Sequence, residues 1–313
     1  MLTRRHIRVK VMQSIYALSQ SQSDQVDKEL KFINMSIANM HDLYILTLDL
    51  FVKLSEYAAN QLALSQKKYL ATSEDKNPNR KFIQNAIIRH LVENEELKEA
   101  LNNRNLNDWE LNDEYIRVIF DAMVASDLYK KYMAATETNY DLDKAFVAKL
   151  FSEVIAPNEK LYEYFEDQKL TWLDDIPVIN TLILKSIKQS RKGKEKIFLS
   201  ELYKDDEDRQ FVKDLFTKTV LNDEMLTAEI QGKTPNWDKD RIANLDLIVL
   251  KMAICEFLKF PSIPAKVTIN EYIELAKEYS TSKSSMFVNG ILDKLIKEYK
   301  KENKLNKIGR GLM

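Results

Sequence analysis

Residues 41–69 read HDLYILTLDLFVKLSEYAANQLALSQKKY. Leu43, Leu46, Leu50, Leu54, Tyr57 and Leu62 recur mostly at three- and four-residue steps, which puts them on one stripe of an α-helix and predicts a buried face. The same spacing marks 5–18, 26–38, 80–104, 111–134, 141–156, 239–260, 266–279 and 282–303. Sheet proteins turn on Gly, Pro and Asn pairs, and five glycines with six prolines in 313 residues cannot supply enough of them. The breaks between periodic stretches are polar: 73–80 around Pro78, 191–196 around Gly193 and 232–236 around Pro235. The expected fold class is all-α.

Composition narrows the function classes. Charged residues make up 30% and hydrophobic residues 45%, the balance of a globular chain and not a disordered one. Net charge is −1, so overall charge announces no nucleic-acid partner and any basic surface must be local. A single cysteine, Cys255 in an apolar run, rules out an intrachain disulfide or a cysteine metal site. No run of about 18 uncharged apolar residues predicts a membrane span. The basic start MLTRRHIRVK has no signal-peptide apolar core behind it, so a cytoplasmic location is expected.

A weak repeat occupies the middle. Phe146, Val147, Leu150 and Phe151 recur as Phe211, Val212, Leu215 and Phe216, an offset of 65 residues. The same offset carries Glu159 to Glu224, Trp172 to Trp237, Asp175 to Asp240, Leu182 to Leu247 and Ile183 to Ile248. Either a unit of three helices with a Trp-Asp loop occurs twice, or two heptad-like patterns coincide.

Signals for chemistry are sparse. His6, His41 and His90 stand apart, without ligand spacing. No glycine-rich phosphate loop or nucleophile elbow is present. Asp205, Asp206, Glu207 and Asp208 open a helical stretch, where carboxylates suit the positive end of the dipole. The reading is a protein with no catalytic residues, metal or cofactor.

Three places carry more than packing. At the N-terminus Thr3 can cap a helix in which Arg4, Arg5, His6, Arg8 and Lys10 follow without an acid, against the macrodipole. That is the start of a basic surface helix or an arm for phosphates. In 244–260 the charges Asp246, Lys251 and Glu256 are five residues apart and share no face, so the helix must be nearly enclosed. Glu256 then needs a partner, either a basic group of the same chain or one across a protein interface.

The third place is KVTINEYIELAKEYSTSKSSMFVNGILDK, 266–294. Thr268 to Glu271 has the form of a capping box, Ser280 to Ser284 break the helix, and Val288, Ile291, Leu292, Leu295 and Tyr299 mark the buried stripe of the next. Phe287 lies off that stripe near Lys283, Gly290 and Lys294, offering either a stacking edge for a nucleic acid or a contact with a neighbouring helix. The lysine-rich end from Lys297 to Arg310 is expected to be a frayed basic tail.

RRHIRVKVMQSIYAL, Arg4 to Leu18, resembles the arginine-rich first helix of the NusB family of transcription antitermination factors. RIANLDLIVLKMAICEFL, FPSIPAKVTINEYIELAKEY and the FVNGILDK box resemble its C-terminal helices, from about Arg209 to Lys297. The resemblance implies a NusB-like helical bundle that binds boxA-type RNA of ribosomal RNA leaders with the small-subunit ribosomal protein NusE, and acts indirectly on the RNA polymerase elongation complex. It implies RNA contacts at Arg4, Arg5, Arg8, Gln13, Lys283, Ser284, Phe287 and Asn289, and contacts with the ribosomal protein at Tyr16 and Glu256. Family members are commonly less than half this length. The expected organisation is therefore a first helix at 1–20, an inserted helical region at 21–207, a NusB-like bundle at 208–300 and a basic tail at 301–313.

The chain also departs from the pattern. His6 and Ile7 interrupt the arginine cluster, and Lys283 stands where the family often has an acid. The alternative reading is a helical interaction scaffold in which RNA binding has weakened. An RNA-methylating enzyme, a third possibility because such domains occur fused to one, lacks any glycine-rich cofactor loop here.

Overall fold

The computed structural model describes all residues except 1, 22–24, 68–71, 194–198, 200, 232, 234–242 and 313. The described residues form helices and no strand. In chain order these are α1 (Arg4–Ser21), α2 (Val26–Gln66), α3 (Ser73–Lys76), α4 (Ala86–Val92), α5 (Glu95–Arg104), α6 (Asp108–Leu111), α7 (Asp113–Ala125) and α8 (Asp127–Ala134). There follow α9 (Tyr140–Leu150), α10 (Glu159–Gln168), α11 (Ile176–Gln189), α12 (Asp206–Leu221), α13 (Asp223–Ile230), α14 (Asn244–Lys259), α15 (Ala265–Tyr279) and α16 (Ser284–Lys301). Most of the predicted break at 232–236, together with Trp237 and Asp240 of the repeat, lies outside the described residues.

Several periodic stretches are divided differently from the sequence reading. The run 26–38 and the run 41–69 as far as Gln66 fuse into the single helix α2, and 68–69 lie outside the described residues. The run 80–104 is cut because Asn85 and Asn94 accept hydrogen bonds from Ile87 N–H and Leu97 N–H, starting α4 and α5. The run 111–134 is cut where Ser126 Oγ accepts from Tyr129 N–H. Thr268 does not form the predicted capping box: α15 already starts at Ala265, with Pro264 at its N-cap. Asp205 does cap its helix, its carboxylate accepting from Asp208 N–H at 3.0 Å.

The chain forms two compact units: residues 1–37 with 203–313, and residues 38–202. In the first, α14 is the central element and packs against α1, α12, α13, α15 and α16. Ten of its residues are buried, from Asp246 to Phe257, as the scattered charges require. Each of those charges turns to a different neighbour. Asp246 accepts from Ser284 Oγ at 2.7 Å, Lys251 pairs with Asp223 at 2.7 Å, and Glu256 takes Arg8.

The second unit is built around α9 and an aromatic core. Tyr132 stacks on Phe146 at 3.8 Å between ring centres, and Trp109 packs beside Tyr164 and Phe165. Trp109 and Trp172 donate their indole N–H groups to the α2 carbonyls of Leu46 and Asn39, so neither ring leaves a buried donor unsatisfied.

The offset of 65 extends into burial. Phe146, Val147, Leu150 and Phe151 are buried in one unit, and Phe211, Val212, Leu215 and Phe216 in the other. Asp143 and Asp208, at the same offset, are buried acids in equivalent helices.

The tail is not a frayed end. Lys307 donates to the carbonyls of Glu256 and Phe260 at the C-terminus of α14, where a cation suits the dipole. Ile308 N–H donates to Pro261 O, and a short turn, Gly309–Leu312, lays Gly311 against the same residue.

Candidate nucleic-acid interface

α1 runs antiparallel to α14, because Arg8 meets Glu256 near one end while Asn244 reaches Ser19 at the other. The N-terminal arginines therefore lie at the α14–α15 corner, around a cleft of about 630 Å³ lined by Thr3, Arg4, Arg5, His6, Arg8, Ser262, Ile263, Pro264, Val267 and Glu271. Each arginine is engaged within the unit. Arg4 Nε donates to Asp208 at 2.8 Å and Nη2 to Glu207 at 3.3 Å, with its guanidinium over the Phe211 ring. Arg5 makes a two-pronged pair with Glu271 at 2.9 and 3.0 Å, yet its side chain stays 43% exposed. Its pKa is raised, chiefly by that bond. His6 is held below its usual pKa by burial and by Arg5.

Arg8 is different. It is buried and sets both prongs on Glu256, at 2.9 and 2.8 Å. Burial alone would lower its pKa, but Glu256 outweighs this and raises it. Glu256 has no exposed surface and also accepts from Thr268 Oγ at 2.6 Å and Tyr272 OH at 3.3 Å. Of the two partners open to Glu256, the structure holds the intramolecular one. A carboxylate closed in by three side chains of its own unit has no face for another protein, and Arg8 has none for a phosphate.

The second group lies around the start of α16. Ser284 donates to Asp246 near the start of α14, so this group sits toward the opposite end of α14 from Arg8. The span from Asp246 to Glu256 is about 15 Å of helix. Lys283 is exposed, Asn289 half-buried and Gly290 exposed. Ser284 and Phe287 are buried, so they are not the outward groups the sequence suggested. Phe287 precedes Ile291 by four residues and belongs to the core-facing stripe, which is wider than one row.

The outward apolar residue is Met286, 70% exposed, which the sequence reading passed over. It lies three residues after Lys283 and four before Gly290, the spacing of one exposed strip. That strip continues through Lys294, Lys297, Lys300 and Lys301, with Asp293 as its acid. Of the remaining candidates, Gln13 is half-buried on α1 and Tyr16 is 41% exposed.

No group of three His, Cys, Asp or Glu side chains that could hold a metal exists among the described residues. The buried Cys255 thiol is pushed up to about 11, chiefly by burial.

Comparison with known proteins fits this geometry. A family model described as the NusB family matches residues 178–297, from α11 to α16. The transcription antitermination protein NusB of Salinibacter ruber is 41% identical over 112 residues, 36% of this chain and 70% of that protein. The chain belongs to the NusB family. The NusB of Finegoldia magna is 43% identical over 96 residues, 31% of this chain and 69% of its own length. The NusB of Chloroherpeton thalassium is 41% identical over 105 residues, covering 34% and 50% respectively. No solved structure matches. The NusB match takes in α14, α15 and the strip of α16 as far as Lys297, while α1 lies outside the family-model span. No helix of the described residues is long and apolar enough to cross a membrane.

Proposed function

We propose that this NusB-family chain is a non-catalytic RNA-binding factor of transcription antitermination. It binds boxA-type RNA of ribosomal RNA leaders together with the small-subunit ribosomal protein NusE, and so acts on RNA polymerase indirectly. The observation that carries the reading is the exposed strip of α16, where five lysines, from Lys283 to Lys301, face solvent with Asp293 as the exposed acid among them and Glu298 half-buried against Lys233. A linear run of cations on one side of a helix suits a polyanion in a chain whose net charge is −1. Met286 and Asn289 add a surface for bases. Arg4, Arg5 and Gln13 supply a second contact from α1, and Tyr16 offers an exposed ring to the protein partner. Arg8, Glu256, Ser284 and Phe287 act from inside by fixing these elements.

The test is titration of the full-length chain with a boxA-type RNA, with and without the ribosomal protein. The expected affinity falls steeply between about 50 and 200 mM salt through counterion release. Lys283→Ala and Arg5→Ala should each weaken binding and lower the salt slope by about one. Binding left unchanged by both variants overturns the interface.

One observation favours a second reading, a helical scaffold with weakened RNA binding. Arg4, Arg5 and Arg8 all bond to carboxylates of their own unit. Glu271→Gln separates the two readings, because releasing Arg5 should tighten RNA binding under the first and leave the scaffold unaffected.

A further inference from the structure

The unit formed by residues 38–202 holds a buried acid that no described side chain reaches at hydrogen-bonding distance. Asp49 on α2 is 5% exposed and lies in a cleft of about 490 Å³ between α2, α5 and the α5–α6 link. Among the described residues, no hydrogen bond or ion pair within 4 Å reaches its carboxylate. Lys53, one turn on, attracts the carboxylate through space but sets its ammonium within 4 Å of Glu56, at 3.4 Å, and of Glu110, at 3.7 Å. Burial pushes the Asp49 carboxyl up to about 6, so it is largely charged at neutral pH. A desolvated carboxylate costs several kcal/mol unless a cation or donors meet it.

Two further features favour a cation. The C-terminal end of α5 lies in the wall at Leu101 and Asn102, closed by Asn105 in the left-handed region at φ 52°. Helix C-termini carry partial negative charge. The side-chain amides of Asn102 and Asn107 add carbonyl acceptors at the exposed edge. Val52, Leu101 and Leu106 supply apolar wall between these polar groups. Bare metal coordination needs several anionic ligands on one point, and the described residues hold no such group.

We propose that this cleft binds an aliphatic di- or polyamine, one ammonium on Asp49, the methylenes along Val52 and Leu101, and a second ammonium toward Glu110. The second anionic point is what selects a diamine over a lysine side chain, which brings a single ammonium. Lys53 then shifts from Glu110 toward Glu56 as the amine enters.

The test is calorimetric titration of the full-length chain at low salt with spermidine, with N-acetyl-lysine methylamide in a parallel arm. One saturable spermidine site is expected, weakened at least ten-fold by Asp49→Asn and several-fold by Glu110→Gln. Glu163→Gln, at an exposed acid paired with Lys160 elsewhere in the unit, should leave it unchanged. Circular dichroism of Asp49→Asn checks folding, and Val52→Phe, which fills the apolar wall without touching charge, should block binding if Asp49→Asn does not fold. Absence of saturable heat, or equal affinity in the Asp49→Asn and Val52→Phe variants, overturns the site. Equal affinity for the lysine analogue overturns the diamine and assigns the cleft to a protein side chain.

Discussion

Glu256 illustrates what single residues disclose. Three charges at five-residue spacing on an apolar helix demand three separate partners, and this need is legible in the sequence. Which partner answers is not, because Arg8 lies 248 residues away and pairs only when α1 folds back along α14. Removing one member of such a buried pair leaves the other unsatisfied. Arg8→Ala should therefore cost about 3–5 kcal/mol, read as a lower urea midpoint, whereas Arg5→Ala at the exposed pair should cost under about 1 kcal/mol. Equal losses would show that the enclosure of Arg8 contributes nothing.

Asp49 gives a prediction of opposite sign to that of most carboxylates. Its folded pKa near 6 lies above the unfolded value of about 3.9. As pH rises from about 4 to 6 the unfolded chain releases this proton while the folded chain retains it. Stability therefore falls across that window and stays lower above it, by up to about 3 kcal/mol. Lys53 opposes the shift, Glu56, Glu110 and Asp108 add to it, and Lys98 lines the same cleft from α5. In urea titrations Asp49→Asn should exceed the wild type at pH 7.5, with the gap closing toward pH 4.5. A gap independent of pH would rule out Asp49 as its source.

At the scale of elements, helix content is readable, and so are some ends, such as the start of α1 at Arg4, the Asp205 cap and the break after Tyr279, but several internal ends are not. Gly and Pro mark breaks visibly, but here Asn85, Asn94, Ser126, Asn139 and Asn158 start helices through side-chain bonds to backbone N–H groups. These residue types also occur inside helices, so composition does not flag them. The exposed and buried rows of α16 were legible in part: the core stripe was found, but Phe287 was set outside it. A two-row stripe accommodates residues four apart as readily as three.

Gly290 tests the outer row. A Cβ there meets nothing within 4 Å, so packing does not call for glycine. Gly290→Ala should raise stability by about 0.5–1 kcal/mol through helix propensity. If RNA backbone approaches α16 at this point, the same change should weaken RNA binding several-fold. Tighter folding with undiminished affinity would move the contact elsewhere on the strip.

For the molecule as a whole, the offset of 65 sets two helical units side by side in comparison. Asp208 and Phe211 receive Arg4 in one, whereas Asp143 and Phe146 receive Tyr132 in the other. The same acid-and-ring platform thus seats a cation once and a neutral phenol once. The offset of 65 is visible in the sequence, but this exchange of partners is not, since neither Arg4 nor Tyr132 belongs to the matched stretches. The tail was misjudged for a related reason: a run of lysines looks solvated until a helix C-terminus is found beneath it.

Gly311 makes that docking testable. An added Cβ would stand 1.9 Å from the Pro261 carbonyl oxygen, so the tail must shift. Gly311→Ala should lower stability by about 1–3 kcal/mol and expose the last residues to limited proteolysis. An unchanged cleavage pattern would mean that Lys307 and the Ile308–Pro261 bond hold the tail without the turn.

The pairing of Arg8 with Glu256 also imposes an order on synthesis. At about 5–20 residues per second, Arg8 leaves the ribosome roughly 12–50 s before its acid is made. Residues 38–202 complete their own helices during that interval. α1 therefore cannot complete its packing until α14 has been made, and Arg8 waits for its acid throughout that interval.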